Sequence, residues 1–139
     1  MSGLDEIRVV AGEAGGMREN VRAILHEIET LLGRLLETGE ASAIDIRSLP
    51  LMPGDYGALE SALGSGEISA EFHGDSGPTV MTETGIPGIW WVTHFDQDEE
   101  VAAEFIEITM VPEILLSQQE DIRDGLEDLR QRLAAVDNH

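Results

Sequence analysis

Apolar residues recur at intervals of three and four along one early stretch: Val21, Ile24, Leu25, Ile28, Leu31, Leu32, Leu35 and Leu36, with Glu19, Arg22, Glu27, Glu29 and Arg34 between them. That spacing places the apolar set on one side of a helix. Gly39 supplies the stop, so the pattern predicts an amphipathic helix of about five turns. Residues 43–47 alternate and read as a strand. Leu49-Pro50-Leu51-Met52-Pro53-Gly54 is irregular, because two prolines and a glycine interrupt it. Asp55 reads as the N-cap of a short helix with Leu59, Ala62 and Leu63 on one face, ended by Gly64 and Gly66.

From Glu67 the period falls to two. Ile68, Ala70 and Phe72 alternate with Ser69 and Glu71, and His73-Gly74-Asp75-Ser76-Gly77-Pro78 forms a turn. Residues 79–84 and 89–95 are two further strands joined through Gly85-Ile86-Pro87-Gly88, and a fourth runs over residues 101–110. Short strands with tight turns predict an antiparallel meander. The fourth strand slips phase: Val101, Ala103 and Phe105 share one parity, while Ile106, Ile108 and Met110 share the other. A β-bulge near Phe105 and Ile106, or burial on both faces, reconciles them. Pro112 ends the strand. Ser117-Gln118-Gln119-Glu120 is a capping-box pattern, and Ile122, Leu126, Leu129, Leu133 and Val136 continue at helical spacing. The order α-β-α-β-β-β-β-α predicts an α+β fold: a mostly antiparallel sheet of about five strands with helices packed on one face. Residues 1–17, glycine-rich and aperiodic, are expected to be a flexible lead, and residues 18–139 a single domain.

Composition narrows the function classes. The chain has 139 residues, 42% of them hydrophobic, enough for one core. With no cysteine it has no disulfide, thiolate metal site, iron–sulfur ligation or cysteine nucleophile. No apolar run reaches a membrane span, and Met1-Ser2-Gly3-Leu4-Asp5-Glu6 lacks the basic start and apolar stretch of a secretory signal. A cytoplasmic protein is the expectation. The net charge of −20, from 28 acidic and 8 basic residues, opposes nucleic acid and anionic membranes and would steer a basic partner inward. The same charge also serves plain solubility.

Catalytic chemistry finds little support. Glu71, His73, His94 and Glu107 are the one set whose residue types suit a metal or acid–base work, and nothing in their spacing demands it. The Asp96, Asp98, Glu99, Glu100 cluster lacks the glycine and later glutamate of a calcium loop. No phosphate loop, dinucleotide fingerprint or nucleophile elbow is present. The expectation is a non-enzyme with no cofactor and no metal. Binding-type features remain. Adjacent Trp90 and Trp91 must point to opposite faces of a strand, and tryptophan is frequent in binding hot spots. The Pro50, Leu51, Met52, Pro53 loop and the Pro112, Glu113, Ile114 connection are apolar for their positions and serve either as core or as contact surface.

Several blocks together resemble the conserved C-terminal region of the HupH/HyaF hydrogenase expression/formation family. They are Ile44-Asp45-Ile46-Arg47-Ser48-Leu49-Pro50-Leu51-Met52-Pro53-Gly54-Asp55, the stretches 59–70 and 82–94, and Phe105-Ile106-Glu107-Ile108-Thr109-Met110-Val111-Pro112-Glu113-Ile114-Leu115-Leu116-Ser117-Gln118 followed by Glu120-Asp121-Ile122. The resemblance spans about residues 20–133. It implies a chaperone-like accessory role in maturing nickel–iron uptake hydrogenases, with a subunit precursor as client. The iron–sulfur small subunit with its twin-arginine export signal is favoured, alongside other maturation proteins. It carries no catalytic residues over. Its recurrent blocks make Pro50, Leu51, Met52, Pro53, Ile86, Pro87, Trp90, Trp91, Pro112, Glu113 and Ile114 candidate contact positions. Many members extend further before this region, so the chain reads as a stand-alone member or a fragment. An acidic secretion-type chaperone is the alternative, and a homodimer is compatible with either.

Overall fold

The structure, a computed structural model, describes residues 15–138, with side chains from Glu19 onward. Most of the expected lead, and His139, lie outside the described residues.

The first helix, α1, spans Gly15–Thr38, so it begins six residues before Val21, the first residue of its apolar periodicity. Val21, Ile24, Ile28 and Leu35 are buried. Gly39 closes it in the left-handed region at φ 77, with its N–H donating to Leu35 O at 2.8 Å. Strand β1, Ser42–Asp45, is shorter than expected because Ile46–Ser48 turns into a 3-10 helix. Asp45 caps that turn by accepting from Arg47 N. The second helix, α2, covers Asp55–Leu63. Its N-cap is Gly54, so Asp55 belongs to the first turn instead of capping it.

Strands β2 (Ser69–Gly74), β3 (Gly77–Glu83), β4 (Ile89–Phe95) and β5 (Val101–Ile108) follow as a meander. The sheet order is β1-β5-β4-β3-β2, antiparallel throughout. The register shift falls between His94 and Phe95, at the start of β5, and not near Phe105 and Ile106. Arg47 Nη1 holds this irregular corner by donating to Val101 O and Ala102 O at 3.1 and 2.7 Å. Phe105 keeps its parity because it belongs to the other face of the sheet, edge-on to His94 with ring centroids 5.8 Å apart.

Strand alternation produces two apolar clusters. Ile44, Ile89, Ile106 and Ile108 meet α1 and α2 through Ile24, Ile28, Leu59 and Leu63. Met81, Trp90 and Val92 form the second cluster on the opposite face. Beyond β5, Pro112 is buried and Glu113–Leu115 forms another 3-10 turn. The last helix, α3, spans Gln119–Asp137 with Gln118 as N-cap and no side-chain cap bond, so the Ser117 capping box is not formed. Whereas α1 and α2 cover one face of the sheet, every described residue of α3 is exposed.

Candidate functional site

Leu35 and Leu36 are neighbours about 100° apart on a helix, so they meet the same groove at different depths. Leu35 enters the core and Leu36 is 87% exposed. With Leu25, Ile28, Leu32 and Gly33 it forms one wall of an apolar groove of about 660 Å³. The loop Ile86, Pro87, Gly88 and the side chain of Met110 form the other wall, and Leu63 and Ile89 close the floor. Met110 is 75% exposed and Ile86 stands at the rim. Glu29 is the one charged residue among those lining it.

The loop wall is held by its own hydrogen bonds. Thr84 Oγ1 donates to Ile89 O at 2.8 Å, and Ile86 N–H donates to Thr84 Oγ1 at 3.2 Å. Ile89 N–H donates to Ile86 O at 3.1 Å, and Thr109 N–H to Gly88 O at 2.9 Å. Gly88 sits at φ 93, and a Cβ there would meet Leu32 Cδ1 at 2.9 Å. The backbone therefore favours glycine, and any side chain there would also have to displace the Leu32 methyl. The groove is preformed and aliphatic. It suits an apolar helix or extended segment and offers no nucleophile or acid–base pair.

The sequence-derived contact positions fall in four places. Ile86 and Pro87 line the groove. Pro50, Met52 and Pro53 are exposed on a separate loop, while Leu51 is half-buried against the main core. This loop is pinned by the fully buried Asp55, whose Oδ2 accepts from Met52 N at 2.8 Å and from Asn20 Nδ2 at 2.9 Å. Trp90 is buried in the second cluster, with no partner for its indole N–H among the described residues. Trp91 is half-buried on the helix side. Pro112 is buried, and Glu113 and Ile114 border a smaller hollow of about 330 Å³ beside Ala41, Ala43 and Glu107 at the β1 edge. Leu36, Gly88 and Met110 were absent from the sequence-derived set. The adjacent Leu35-Leu36 pair was the signal that one leucine of α1 must face outward.

Two polar arrangements stand apart from the groove. Glu104, buried on β5, accepts at Oε2 from Tyr56 Oη at 2.7 Å, Trp91 Nε1 at 2.8 Å and Thr93 Oγ1 at 2.9 Å. Burial first, and the Glu104 carboxylate second, push the Tyr56 hydroxyl far above the usual phenol range. On the opposite face, burial raises the Glu107 carboxyl, with His94 opposing and Glu113 adding to the shift. Glu71 and His73 approach within 3.4 Å on the face of β2 opposite to that of His94 and Glu107, so the four do not converge. Among the described residues no group of three His, Asp or Glu could hold a metal ion, and no helix is long and apolar enough to cross a membrane.

Comparison with known proteins supplies the family context. The family described as HupH hydrogenase expression protein, C-terminal conserved region, matches residues 19–136. The hydrogenase expression/formation protein HoxQ of Azotobacter vinelandii is 32% identical over 68% of this chain and 33% of its own length. HupH of Rhizobium leguminosarum bv. viciae is 28% identical over 84% of this chain and 40% of its own. The chain thus spans about a third to two fifths of the curated relatives it matches. A solved structure, the hydrogenase expression protein HupH from Thiobacillus denitrificans ATCC 25259, is 41% identical, covers 84% of this chain and 96% of its own, and superposes with a TM-score of 0.77.

Proposed function

The chain belongs to the HupH hydrogenase expression protein family, and from that premise we propose that it is a non-enzymatic accessory protein that holds a hydrogenase subunit precursor in the cytoplasm before assembly and export. The observation that carries this reading is the preformed aliphatic groove between α1 and the Ile86–Gly88 loop, set in a chain of net charge −20. The favoured client is the iron–sulfur small subunit, held by its twin-arginine signal. That signal is basic at its start and apolar behind it. The apolar part fits the groove, and the acidic surface attracts the basic part.

The test is a tagged pull-down from cells expressing an uptake hydrogenase, with the small-subunit signal present or deleted, repeated with Met110→Glu. Capture of the precursor that is lost on signal deletion, on Met110→Glu and at raised salt supports the reading. Capture that survives signal deletion moves the contact to the mature subunit. Capture of the large subunit reassigns the client, and recovery of no hydrogenase component overturns the role.

A further inference from the structure

We infer that this chain is a two-fold homodimer in which each copy lays the apolar stripe of α3 into the groove of the other. The inference goes beyond the client reading and does not depend on it.

The stripe itself is the first observation. Ile122, Leu126, Leu129, Leu133 and Val136 follow one another at four, three, four and three residues, which aligns them along a single seam. All are between 49% and 68% exposed. A helix surrounded by water draws most of its stability from packing its apolar face, and Gly125 in its interior weakens it further. Among the described residues, nothing packs within 4 Å of where a Gly125 Cβ would stand. The same chain carries a concave apolar surface of similar length. Leu25 to Leu36 runs about 16 Å along α1, against about 21 Å for the α3 seam, at about 1.5 Å per residue.

Charge selects the occupant. The basic residues of the chain are all arginines. Helical spacing sets Arg123, Arg130 and Arg132, with Asp137, along the two borders of the stripe, while Glu120, Asp124, Glu127 and Asp128 fall on its back, where Glu127 and Asp128 pair with Arg130 and Arg132 at 4.0 and 2.8 Å. A surface facing the stripe is therefore favoured if it is apolar with acidic surroundings. Residues 19–118 of this chain hold nineteen of the 28 acidic residues against three arginines, and Glu29 lines the groove. An antiparallel pairing of two α3 stripes would instead bring Arg123 beside Arg130 of the other helix.

The connection explains why the groove belongs to a second copy. Pro112 is buried, and the 3-10 turn after it sets Glu113 and Ile114 beside Glu107, on the face of the sheet away from α1. Only Leu116, Ser117 and Gln118 separate that turn from α3. Three residues reach about 10 Å, too little to turn α3 around the sheet edge and along its own α1. Reciprocal exchange between two copies covers both stripes and both grooves and closes the assembly at two. If the client reading above also holds, client and α3 compete for one groove.

The experiment measures the mass of the full chain by light scattering, alone and with Leu129→Glu on the stripe or Leu36→Glu on the groove wall. Both positions are exposed, and circular dichroism checks that the fold persists. The expected result is a dimer for the natural sequence and monomers for both variants. A mixture of the two variants should form a weaker one-to-one dimer, because one intact stripe still meets one intact groove. A monomeric natural chain overturns the proposal. A Leu36→Glu chain that stays dimeric overturns it too, since two α3 helices paired with each other would not sense that change. Hydrogenase capture plays no part in this readout, so failure of the dimer and failure of the client reading are separable.

Discussion

Trp91 and Glu104 meet diagonally across the β4–β5 pair: the indole Nε1 donates to Glu104 Oε2 at 2.8 Å, although Trp91 lies opposite Ile106 and Glu104 opposite Thr93. Tyr56 completes the arrangement from α2. Its ring stands edge-on to Trp91 at 5.4 Å, and its hydroxyl donates to the same oxygen. One carboxylate therefore ties α2 to the middle of the sheet. Tyr56→Phe removes one donor and is expected to cost about 1 kcal/mol, while Glu104→Ala orphans three donors and is expected to cost about 2–4 kcal/mol. Urea unfolding followed by tryptophan fluorescence measures both.

The chain has one tyrosine, so its ionisation can be read directly from absorbance. Burial and Glu104 hold the Tyr56 hydroxyl well above its ordinary value of 10.0. The folded pKa exceeds the unfolded one, so the protonated tyrosine stabilises the fold below pH 10 and that contribution is lost as pH rises beyond it. Tyrosinate absorbance should stay silent past pH 10 and then appear together with unfolding. Glu104→Gln should bring the onset down.

Glu107 carries the opposite consequence for a carboxyl. Burial raises its folded pKa above the ordinary 4.5, so the folded state binds the proton more readily than the unfolded chain. Its contribution therefore falls as pH rises from 4.5 through the raised value. Glu107→Gln is expected to raise the melting temperature at pH 7, and the gain should shrink as pH approaches 4.5. Scanning calorimetry across that range checks both the sign and the narrowing.

Asp55 fastens the 50–54 loop and α1 to α2 through one oxygen, which accepts from Met52 N and Asn20 Nδ2. The residue is fully buried. Asp55→Ala is expected to cost about 2–4 kcal/mol, since the Met52 and Asn20 amides lose their acceptor together at a part-buried site. Asn20→Ala should cost less, about 1 kcal/mol. Hydrogen exchange at the Met52 amide should accelerate in the first variant.

Gly88 sets the width of the groove. Gly88→Ala forces an L residue to φ 93 and drives its Cβ toward Leu32 Cδ1. A destabilisation of about 1–2 kcal/mol is expected, because the loop is also tied at Thr84 and Thr109. Thermal unfolding measures that cost, and fluorescence of an apolar dye bound to the groove should fall with it.

Helix and strand identities were legible because their signals are local. The three-and-four spacing of Val21 to Leu35, the alternation through residues 68–72 and the proline–glycine punctuation at 50–54 each act within a few residues. Boundaries and phase were less legible. Arg47 fixes the β5 corner from 54 residues away, so the register shift sits at His94 and Phe95 and not where the parity of Phe105 and Ile106 suggested. Of the expected contact positions, Ile86 and Pro87 reach the groove, while Trp90 and Pro112 are buried. No local pattern separates an apolar residue kept for folding from one left for a partner.

By itself the sequence determined an acidic, cysteine-free α+β chain, its strand order along the chain and two amphipathic helices with much the same periodicity. Tertiary structure decided what those two helices do. Hydrophobic spacing states that a face must be covered without stating by what. The β1–β5 pairing brings α1 onto the sheet, so Val21, Ile24, Ile28 and Leu35 are buried, whereas α3, beyond the buried Pro112, has its seam uncovered within the single chain. The groove likewise exists only because residues 25–36, 86–88 and 110 converge through long-range pairing, a relationship that no window of sequence contains.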